Sequence, residues 1–298
     1  MAKKGKEKGF DYTESSFLVP FDGDFSVKKA KTSATKGPDD DACKDELKKV
    51  VRKMADLQEV LYADDRYSLL CVFQAMDAAG KDSTIRKVFS GVNPAGFEVH
   101  SFKKPSSNEL DHDFLWRTAR SLPQRGRIGV FNRSYYEETL VVKVHPELLA
   151  YQRLPLSREK GNSFWEARYE SIRDHEKHLA RNGTVVLKFW LNVSREEQKA
   201  RFLRRIDLPE KNWKFEKGDV VERGYWDDYM AAYEDALQAT SCPWAPWYAI
   251  PADSKPYMRL AVARIILQTL ERLPIAFPKV DGEEQKQLAA YRSKIEQD

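Results

Sequence analysis

The chain has 298 residues, of which 42% are hydrophobic and 32% are charged, and its formal net charge is +4. This composition is typical of a globular protein, and no apolar run approaches the roughly 20 residues that a membrane-spanning helix needs. The basic start lacks the apolar stretch of a secretory signal and the three cysteines are far apart, so we expect a cytoplasmic protein with no membrane partner, disulfide framework or zinc cluster.

The first part of the chain divides into an irregular segment and a helix. Residues 1–39 mix Lys, Gly, Ser, Thr and Pro, which predicts an N-terminal tail that lies over the domain or is partly mobile. From residue 40 to 63, apolar side chains recur at helical spacing behind a cluster of acidic residues. We expect this amphipathic helix to begin the folded domain.

A buried strand and a loop of small residues follow. Residues 69–73 form a continuous apolar run, which suits a strand covered on both faces of a parallel sheet. Ala78, Ala79 and Gly80 then allow the backbone to approach a ligand closely, and a helix that starts near Lys81 would direct its free amide groups at an anion. The stretch predicts a phosphate-binding loop, and the alternative is a glycine turn with a solvated lysine.

The loop departs from the strict phosphate-loop pattern at two positions. Ala75 stands where that pattern has glycine, and Asp82 stands where it has the Ser or Thr whose hydroxyl holds magnesium. Asp77, inside the loop, is then the candidate oxygen ligand for a hard divalent cation.

A second strand and helix are predicted next. A helix over residues 85–89 should end at Gly91, and residues 97–102 alternate as a strand does. Lys103 and Lys104 would lie at the carboxyl end of that strand, where open α/β sheets bind ligands, although a solvated turn is an equal alternative. A helix that opens after Pro105 carries Arg117.

A third short strand, over residues 128–131, runs directly into a polar segment. Such a segment at the end of a buried strand is placed to meet a phosphate or a metal, and Arg133 is its best candidate for binding an anion. We expect Tyr135 and Tyr136 to serve packing instead.

The second half of the chain continues the alternation. It predicts a helix over residues 164–180, a strand over 184–193, helices from 195 and over 219–239, a strand over 247–250 and a helix over 260–273. Because strands alternate with helices throughout, a parallel sheet wrapped by helices on both faces is the economical fold. The charged segment from residue 281 is predicted to be loosely attached.

A cationic stretch follows the fourth strand. Residues 195–217 hold eight Lys or Arg against five Asp or Glu, a net charge of +3. Either this is a solvated helix face, or it is a closing lid of the kind that carries phosphate-contacting arginines in nucleotide kinases.

Five segments together resemble the polyphosphate kinase 2 family: residues 73–82 (FQAMDAAGKD), 91–94 (GVNP), 131–137 (FNRSYYE), 212–215 (NWKF) and 245–251 (APWYAIP). The resemblance implies an α/β, three-layer α/β/α P-loop kinase fold with a parallel sheet, similar to thymidylate kinase, and a helical lid. It implies a domain over residues 40–280 with the lid at about 201–218, and a charged C-terminal tail over 281–298. The implied reaction is Mg²⁺-dependent phosphoryl transfer between inorganic polyphosphate and nucleotides, with Mn²⁺ as a possible substitute.

The resemblance also implies roles for individual residues. Asp77 is the loop carboxylate at the metal site, and Lys81 and Arg133 join it as the catalytic set. The phosphate and polyphosphate contacts are Ala78, Ala79, Gly80, Lys81, Asp82, Lys103, Lys104, Arg117, Arg133, Arg201, Arg204 and Arg205. The last three match the lid arginines of the family.

Asn132 and Glu137 are the implied nucleotide-binding residues. Some members have Asp at the position of Asn132, and these resemble the branch that mainly converts ADP to ATP. Asn132 together with Glu137 is more similar to the branch that accepts both AMP and ADP. The expected nucleotides carry adenine or guanine.

Two other functions remain open at this point. The same loop and lid would suit a nucleoside or nucleotide kinase that uses ATP as its donor, and the basic groove would suit a non-catalytic polyanion-binding protein. Nucleic acid is not an expected partner, since no reading motif accompanies the charge. The many aromatic residues favour a homo-oligomer, a dimer or a tetramer.

Overall fold

The computed structural model describes residues 12–34, 37–155 and 161–297. Its strands, numbered in chain order, are β1 (Ser68–Gln74), β2 (Phe97–Ser101), β3 (Ile128–Asn132), β4 (Thr184–Asn192) and β5 (Trp247–Pro251). They form one sheet in the order β2-β3-β1-β4-β5, and every neighbouring pair is parallel. The parallel sheet predicted from the sequence is therefore confirmed.

Helices connect these strands. They are α1 (Asp40–Asp64), α2 (Lys81–Val88), α3 (Ser107–Leu110), α4 (Trp116–Ala119), α5 (Val141–Val144), α6 (Asn162–Arg181), α7 (Arg195–Asp207), α8 (Lys217–Gly224), α9 (Trp226–Thr240), α10 (Lys255–Arg272) and α11 (Gly282–Ile295). Helix α10 contacts both α1 and α2, while α6 contacts β4 and α9, so that helices flank the sheet. The result is the layered α/β architecture expected from the alternation of elements.

The sheet is organised around β1, whose residues are all buried. Leu69 lies between Ile128 of β3 and Val185 of β4. The chain leaves β1 for β2 and β3 on one side and then crosses to β4 and β5 on the other. The carboxyl end of β1 therefore lies at the point where the strand order reverses, and open α/β sheets bind their ligands at such a point.

The structure differs from the sequence prediction at two helices. The helix predicted after Pro105 is split into α3 and α4, because the Asp113 carboxylate accepts from the amide of Leu115 at 2.9 Å and starts a new turn. The helix predicted over residues 219–239 is split into α8 and α9. Gly224 ends α8, since glycine is a weak helix former, and Asp227 and Asp228 favour a new helix N-terminus.

The described part of the N-terminal segment packs on β5. The amide of Val19 donates to the carbonyl of Trp247 at 2.9 Å, and the amide of Ala249 donates to the carbonyl of Phe17 at 2.8 Å. Val19 is fully buried. Residues 12–34 thus cover the outer edge of the sheet, and residues 1–11 of the expected tail lie outside the described residues.

The C-terminal helix, unlike the N-terminal segment, does not pack on the sheet with buried side chains. Helix α11 is capped by Asp281, and all its side chains are exposed. Within the described ranges, no helix combines the length and apolarity that a bilayer crossing requires.

Candidate functional site

The loop between β1 and α2 has the backbone geometry of an anion cradle. Ala78 has a φ of 60° and Gly80 a φ of 105°, both in the left-handed region. At Gly80 this conformation is easy because glycine has no Cβ, and it brings the chain into α2 with free amide groups at the helix start. The dipole of α2 adds a partial positive charge at the same point.

Lys81 is the first residue of α2 and is only 9% exposed. Its Nζ donates to the carbonyl of Ala75 at 2.7 Å, which folds the side chain back across the loop. Burial lowers the pKa of Lys81, Arg133 lowers it further, and Asp77 opposes the shift. A phosphate bound by the loop would give this ammonium group an anionic partner.

Arg133 follows β3 and faces the loop. Its φ of 62° is unusual for a residue with a side chain and costs about 1–3 kcal/mol. The amide of Arg133 donates to the carbonyl of Phe73, and its Nη2 donates to Oδ1 of Asp77 at 3.0 Å. The strained turn thus brings together two of the catalytic residues predicted from the sequence.

Glu137 completes this charge cluster. Its Oε2 lies 3.7 Å from Nη1 of Arg133. Burial raises the pKa of Glu137, while Arg133 and Lys81 oppose the rise. The amide of Gln74, at the end of β1, is satisfied when its nitrogen donates to Glu137 Oε1 and its oxygen accepts from Ser134. Gln74 was not among the predicted site residues.

Asp82 and Asn132 form a second contact between α2 and the end of β3. Asn132 Nδ2 lies 2.6 Å from Asp82 Oδ1 and 3.3 Å from the hydroxyl of Ser101 at the end of β2. The contact brings the residue predicted to bind nucleotide next to the residue that replaces the usual Ser or Thr of the loop.

The carboxylates of Asp77 and Asp82 suit a hard divalent cation. Asp77 lies in the loop and Asp82 in the first turn of α2, and carboxylate oxygens are the ligands that Mg²⁺ prefers. In the described part of the chain, no group of three or more His, Cys, Asp or Glu is arranged to hold a metal. Mg²⁺ usually takes one or two carboxylates from the protein and completes its shell with phosphate oxygens and water.

The lysines predicted to bind polyphosphate lie farther along the same edge of the sheet. Lys103 and Lys104 are exposed directly after β2. Arg117 donates from Nη2 to the carbonyl of Lys103 at 2.7 Å and lies 3.3 Å from Glu109. It also lines a polar cavity of about 630 Å³. Arg117 therefore supports the backbone of the lysine pair.

The three predicted lid arginines have different environments. Arg204 is exposed, and Arg205 donates from Nη1 to the carbonyl of Lys214 and lies 3.4 Å from Asp219. Arg201 is only 4% exposed, and all five of its N–H donors are used. Their acceptors are Glu197 and the carbonyls of Ala78, Ala79, Ala252 and Asp253, at 2.6 to 3.2 Å. Arg201 thus ties the loop to the start of α10, and a phosphate contact would require these bonds to be exchanged.

The left-handed residue Arg133 and the residues after it, up to Glu137, are called the Arg133 turn below. A buried ion pair lies next to this turn. Lys188 Nζ is 2.6 Å from Glu176 Oε2, and both side chains are fully buried. Tyr135 and Tyr136 each donate a hydroxyl hydrogen bond to Glu176 Oε1 at 2.9 Å. The packing role predicted for the tyrosines therefore includes a polar one. The sequence signal for the pair was a lysine inside an otherwise apolar strand.

Comparison with known proteins gives a consistent result. The family model described as polyphosphate kinase 2 (PPK2) matches residues 37–277. An ADP-polyphosphate phosphotransferase of Rhodopseudomonas palustris is 54% identical over 249 residues, which are 84% of this chain and 86% of that protein. An AMP/ADP-polyphosphate phosphotransferase of Meiothermus ruber is 43% identical over 273 residues, covering 91% of this chain and 97% of the relative.

A solved structure agrees with the fold. The crystal structure of polyphosphate kinase 2 from Arthrobacter aurescens TC1 superimposes with a TM-score of 0.84 at 34% identity. The match covers 97% of this chain and all of that one. The sheet, the loop and the helices around them thus have a counterpart in a crystal structure.

Proposed function

Because the chain belongs to the polyphosphate kinase 2 family, we propose that it catalyses reversible transfer of the terminal phosphoryl group between inorganic polyphosphate and AMP or ADP. The observation that carries this proposal is the family match over residues 37–277, which includes the loop and the Arg133 turn. The chain is accordingly a phosphotransferase.

The reaction needs positioning and charge neutralisation more than it needs a nucleophile on the protein. The bond between the terminal phosphorus of polyphosphate and its bridging oxygen breaks, and a bond from that phosphorus to a phosphate oxygen of the nucleotide forms. Polyphosphate becomes one unit shorter, and AMP becomes ADP or ADP becomes ATP. No serine or cysteine is required as a covalent carrier.

Residues of the loop and of the Arg133 turn are suited to this task. We assign Lys81 and the amides at the start of α2 to holding the phosphates, and Arg133 to neutralising the charge that develops on the transferred group. The contact between Arg133 and Asp77 at 3.0 Å holds the guanidinium in place before substrate binds. Asp77, with Asp82 beside the loop, would bind Mg²⁺. The ion would neutralise phosphate charge when bound.

The nucleotide range is proposed to include both AMP and ADP. The support is the combination of Asn132 and Glu137, which is similar to the branch of the family that accepts both nucleotides, and both residues lie at the site, Asn132 against Asp82 and Glu137 next to Arg133. One relative is named for ADP alone and the other for AMP and ADP, so the two substrates must be tested separately. We also propose that the segment of about 201–218 moves as a lid and that the protein is a homo-oligomer.

A product assay tests the proposal. The purified protein is incubated with long-chain polyphosphate and Mg²⁺, and with AMP, ADP, GMP or GDP in parallel reactions, and nucleotides are separated by ion-exchange chromatography. We expect ADP and ATP from AMP, and ATP from ADP. Parallel reactions with ATP as the only donor identify an ordinary nucleotide kinase. The proposal is refuted if polyphosphate supports no transfer with Mg²⁺ or Mn²⁺.

A further inference from the structure

Helix α7 holds the phosphate loop by its carbonyl oxygens. Gln198 Nε2 donates to the carbonyl of Asp77 at 2.9 Å. Arg201 Nη1 donates to the carbonyls of Ala78 and Ala79 at 3.2 and 2.6 Å. In a trans peptide the carbonyl of one residue and the amide of the next point in opposite directions, so these bonds fix the direction of the loop amides. Helix α7 therefore sets the shape of the loop that carries the Asp77 carboxylate.

The two side chains connect the loop to different elements. Arg201 extends to the carbonyl of Asp253, just before α10. Gln198 instead accepts, through its Oε1, a hydrogen bond from Nη1 of Arg223 on α8 at 2.6 Å. Gln198 is only 1% exposed. It therefore forms a buried bridge that runs from α8 through α7 to Asp77.

The groups at the two ends of Gln198 fix the orientation of its amide. The guanidinium of Arg223 can only donate hydrogen bonds, and the carbonyl of Asp77 can only accept them. The amide oxygen must therefore face α8, and the amide nitrogen must face the loop. Without Arg223, the amide is free to rotate and to place its oxygen against the carbonyl of Asp77, where two acceptors repel each other. The bond that holds Asp77 thus depends on the position of α8.

Helix α8 is attached to the rest of the fold by polar side chains. Every one of its residues is at least partly exposed. In its last turn, beside Arg223, Oε2 of Glu222 accepts from the hydroxyl of Tyr229 at 2.6 Å and lies 3.0 Å from Nε2 of His145. In its first turn, Asp219 lies 3.4 Å from an arginine of α7. An element with little buried apolar surface can open at a low cost in free energy.

We propose that Gln198 is a positioning residue that couples the docking of α8 to the orientation of Asp77. The proposed lid, at about 201–218, leads directly into α8, so movement of the lid would change the contact between Arg223 and Gln198. When α8 is docked, the loop holds Asp77 where it meets Arg133 at 3.0 Å. When α8 leaves, the loop loses one of the bonds that α7 makes to its carbonyls. The link to catalysis rests on the proposed function.

Two substitutions of Gln198 separate its two bonds. Gln198→Met removes both, whereas Gln198→Glu keeps an acceptor for Arg223 and removes the donor to the Asp77 carbonyl. Arg223→Met removes the contact from the side of α8. Arg125→Met is the matched control, because Arg125 is likewise an arginine with two hydrogen bonds, here at 2.8 and 3.1 Å to main-chain carbonyls just before β1 and β4. These carbonyls lie at the amino ends of the strands, away from the loop.

Amide hydrogen exchange, measured by mass spectrometry without nucleotide or metal, reports α8 and the loop separately. We expect Gln198→Glu to raise exchange in residues 75–80 at least about threefold, while α8 exchanges as in wild type because its contact with α7 is kept. Arg223→Met should raise exchange in both segments, and the control in neither. The inference is overturned if Arg223→Met raises exchange in α8 alone, or if Gln198→Glu leaves the loop as in wild type.

Steady-state kinetics tests the consequence for catalysis. We expect kcat to fall about tenfold in Gln198→Met and about threefold in Arg223→Met, with the KM values for polyphosphate and ADP within about twofold of wild type, because the lost bond orients a group that acts in the transition state. The double variant should match Gln198→Met, because Arg223 acts through Gln198. Independent effects that multiply in the double variant would overturn the coupling.

The two proposals fail in different ways. If wild type transfers no phosphoryl group from polyphosphate, the proposed function is wrong, and hydrogen exchange still decides whether docking of α8 reaches the loop. If wild type is active and Gln198→Met has the same kcat, the proposed function stands and the inference is wrong. If Gln198→Met does not fold, Arg223→Met, at a partly exposed position, carries both measurements.

Discussion

Among the single residues of the site, the central contact is the ion pair between Arg133 and Asp77. These residues are 56 positions apart in sequence, and a left-handed turn after β3 brings them to 3.0 Å. In this pair Asp77 has two possible duties, to orient the guanidinium and to bind a divalent cation. Both duties need a carboxylate, but only the second depends on the concentration of metal.

Asp77→Asn separates these duties. The amide is nearly isosteric, so the fold should be retained, but it is a poorer ligand for Mg²⁺. We expect the Mg²⁺ concentration that gives half-maximal activity to rise at least about tenfold, since even groups that act on a metal indirectly change its affinity 10–100-fold. The measurement is initial rate against Mg²⁺ at saturating polyphosphate and ADP. Low kcat that no amount of Mg²⁺ restores, with half-saturation unchanged, would contradict a ligand role.

The burial of Lys255 in the first turn of α10 affects how stability depends on pH. Because the pKa of Lys255 is lower in the folded chain than the ordinary 10.5, the unfolded chain binds more protons between these values. The contribution of Lys255 therefore opposes folding below pH 8, and this opposition fades as pH rises toward 10.5.

At the scale of elements, Glu176 on α6 and Lys188 on β4 link two parts of the fold. Burial raises the pKa of Glu176 and lowers the pKa of Lys188, and each partner opposes the shift of the other. Their shared contacts with Tyr135 and Tyr136 support the turn that carries Arg133. A buried pair of this kind is costly to break from one side, since the remaining charge keeps its hydrogen bonds but loses the opposite charge that compensates it.

A double-mutant cycle tests this link. We expect Lys188→Met to lower the free energy of unfolding by about 3–5 kcal/mol, because it leaves the Glu176 carboxylate buried beside two hydroxyl groups. Glu176→Gln with Lys188→Met should recover a large part of that loss. Urea unfolding at pH 7 is measured for Lys188→Met, for Glu176→Gln and for the double variant. If the double variant is as unstable as the sum of the single ones, the two residues are not coupled.

How far the sequence predicts the elements depends on how local their cause is. Strand β1 and helix α1 were predictable, because a continuous apolar run and a helical period specify burial without reference to the rest of the chain. The segment between β3 and α6 was not. It contains 3-10 turns at Tyr135–Glu138 and Pro146–Gln152 that have no period to detect.

The candidate site shows the same division. The sequence predicted Asp77, Lys81 and Arg133, since each follows a predicted strand at the edge where ligands bind. It did not predict that Arg201 would bond four carbonyls, because those carbonyls come from segments about 50 and 120 residues away. The partnership of Glu176 with Lys188 depended in the same way on how α6 packs against β4.

At the scale of the whole molecule, the two ends of the chain have opposite relations to the sheet. Near the N-terminus, Thr13 forms a buried hydrogen bond with Thr269 of α10, and its carbonyl accepts from the hydroxyl of Tyr248 of β5. Near the C-terminus, α11 exposes Leu288, Tyr291 and Ile295. The first end closes an edge of the sheet, and the described residues of the second bury none of their side chains.

Deleting each end in turn should therefore give different results. Removal of residues 1–22 uncovers the edge of β5 and loses the burial of Val19, worth about 2 kcal/mol by itself. We expect a fall in Tm of at least about 4–8 °C, since 1 kcal/mol shifts a chain of 150–250 residues by about 2–4 °C. We also expect faster aggregation on heating, because an open strand edge pairs with other chains.

Removal of residues 281–298 is the control and should leave Tm within about 2 °C, because their described side chains contribute little burial to the fold. Differential scanning calorimetry and light scattering measure both variants, and equal Tm values for the two would mean that the N-terminal segment does not stabilise the sheet.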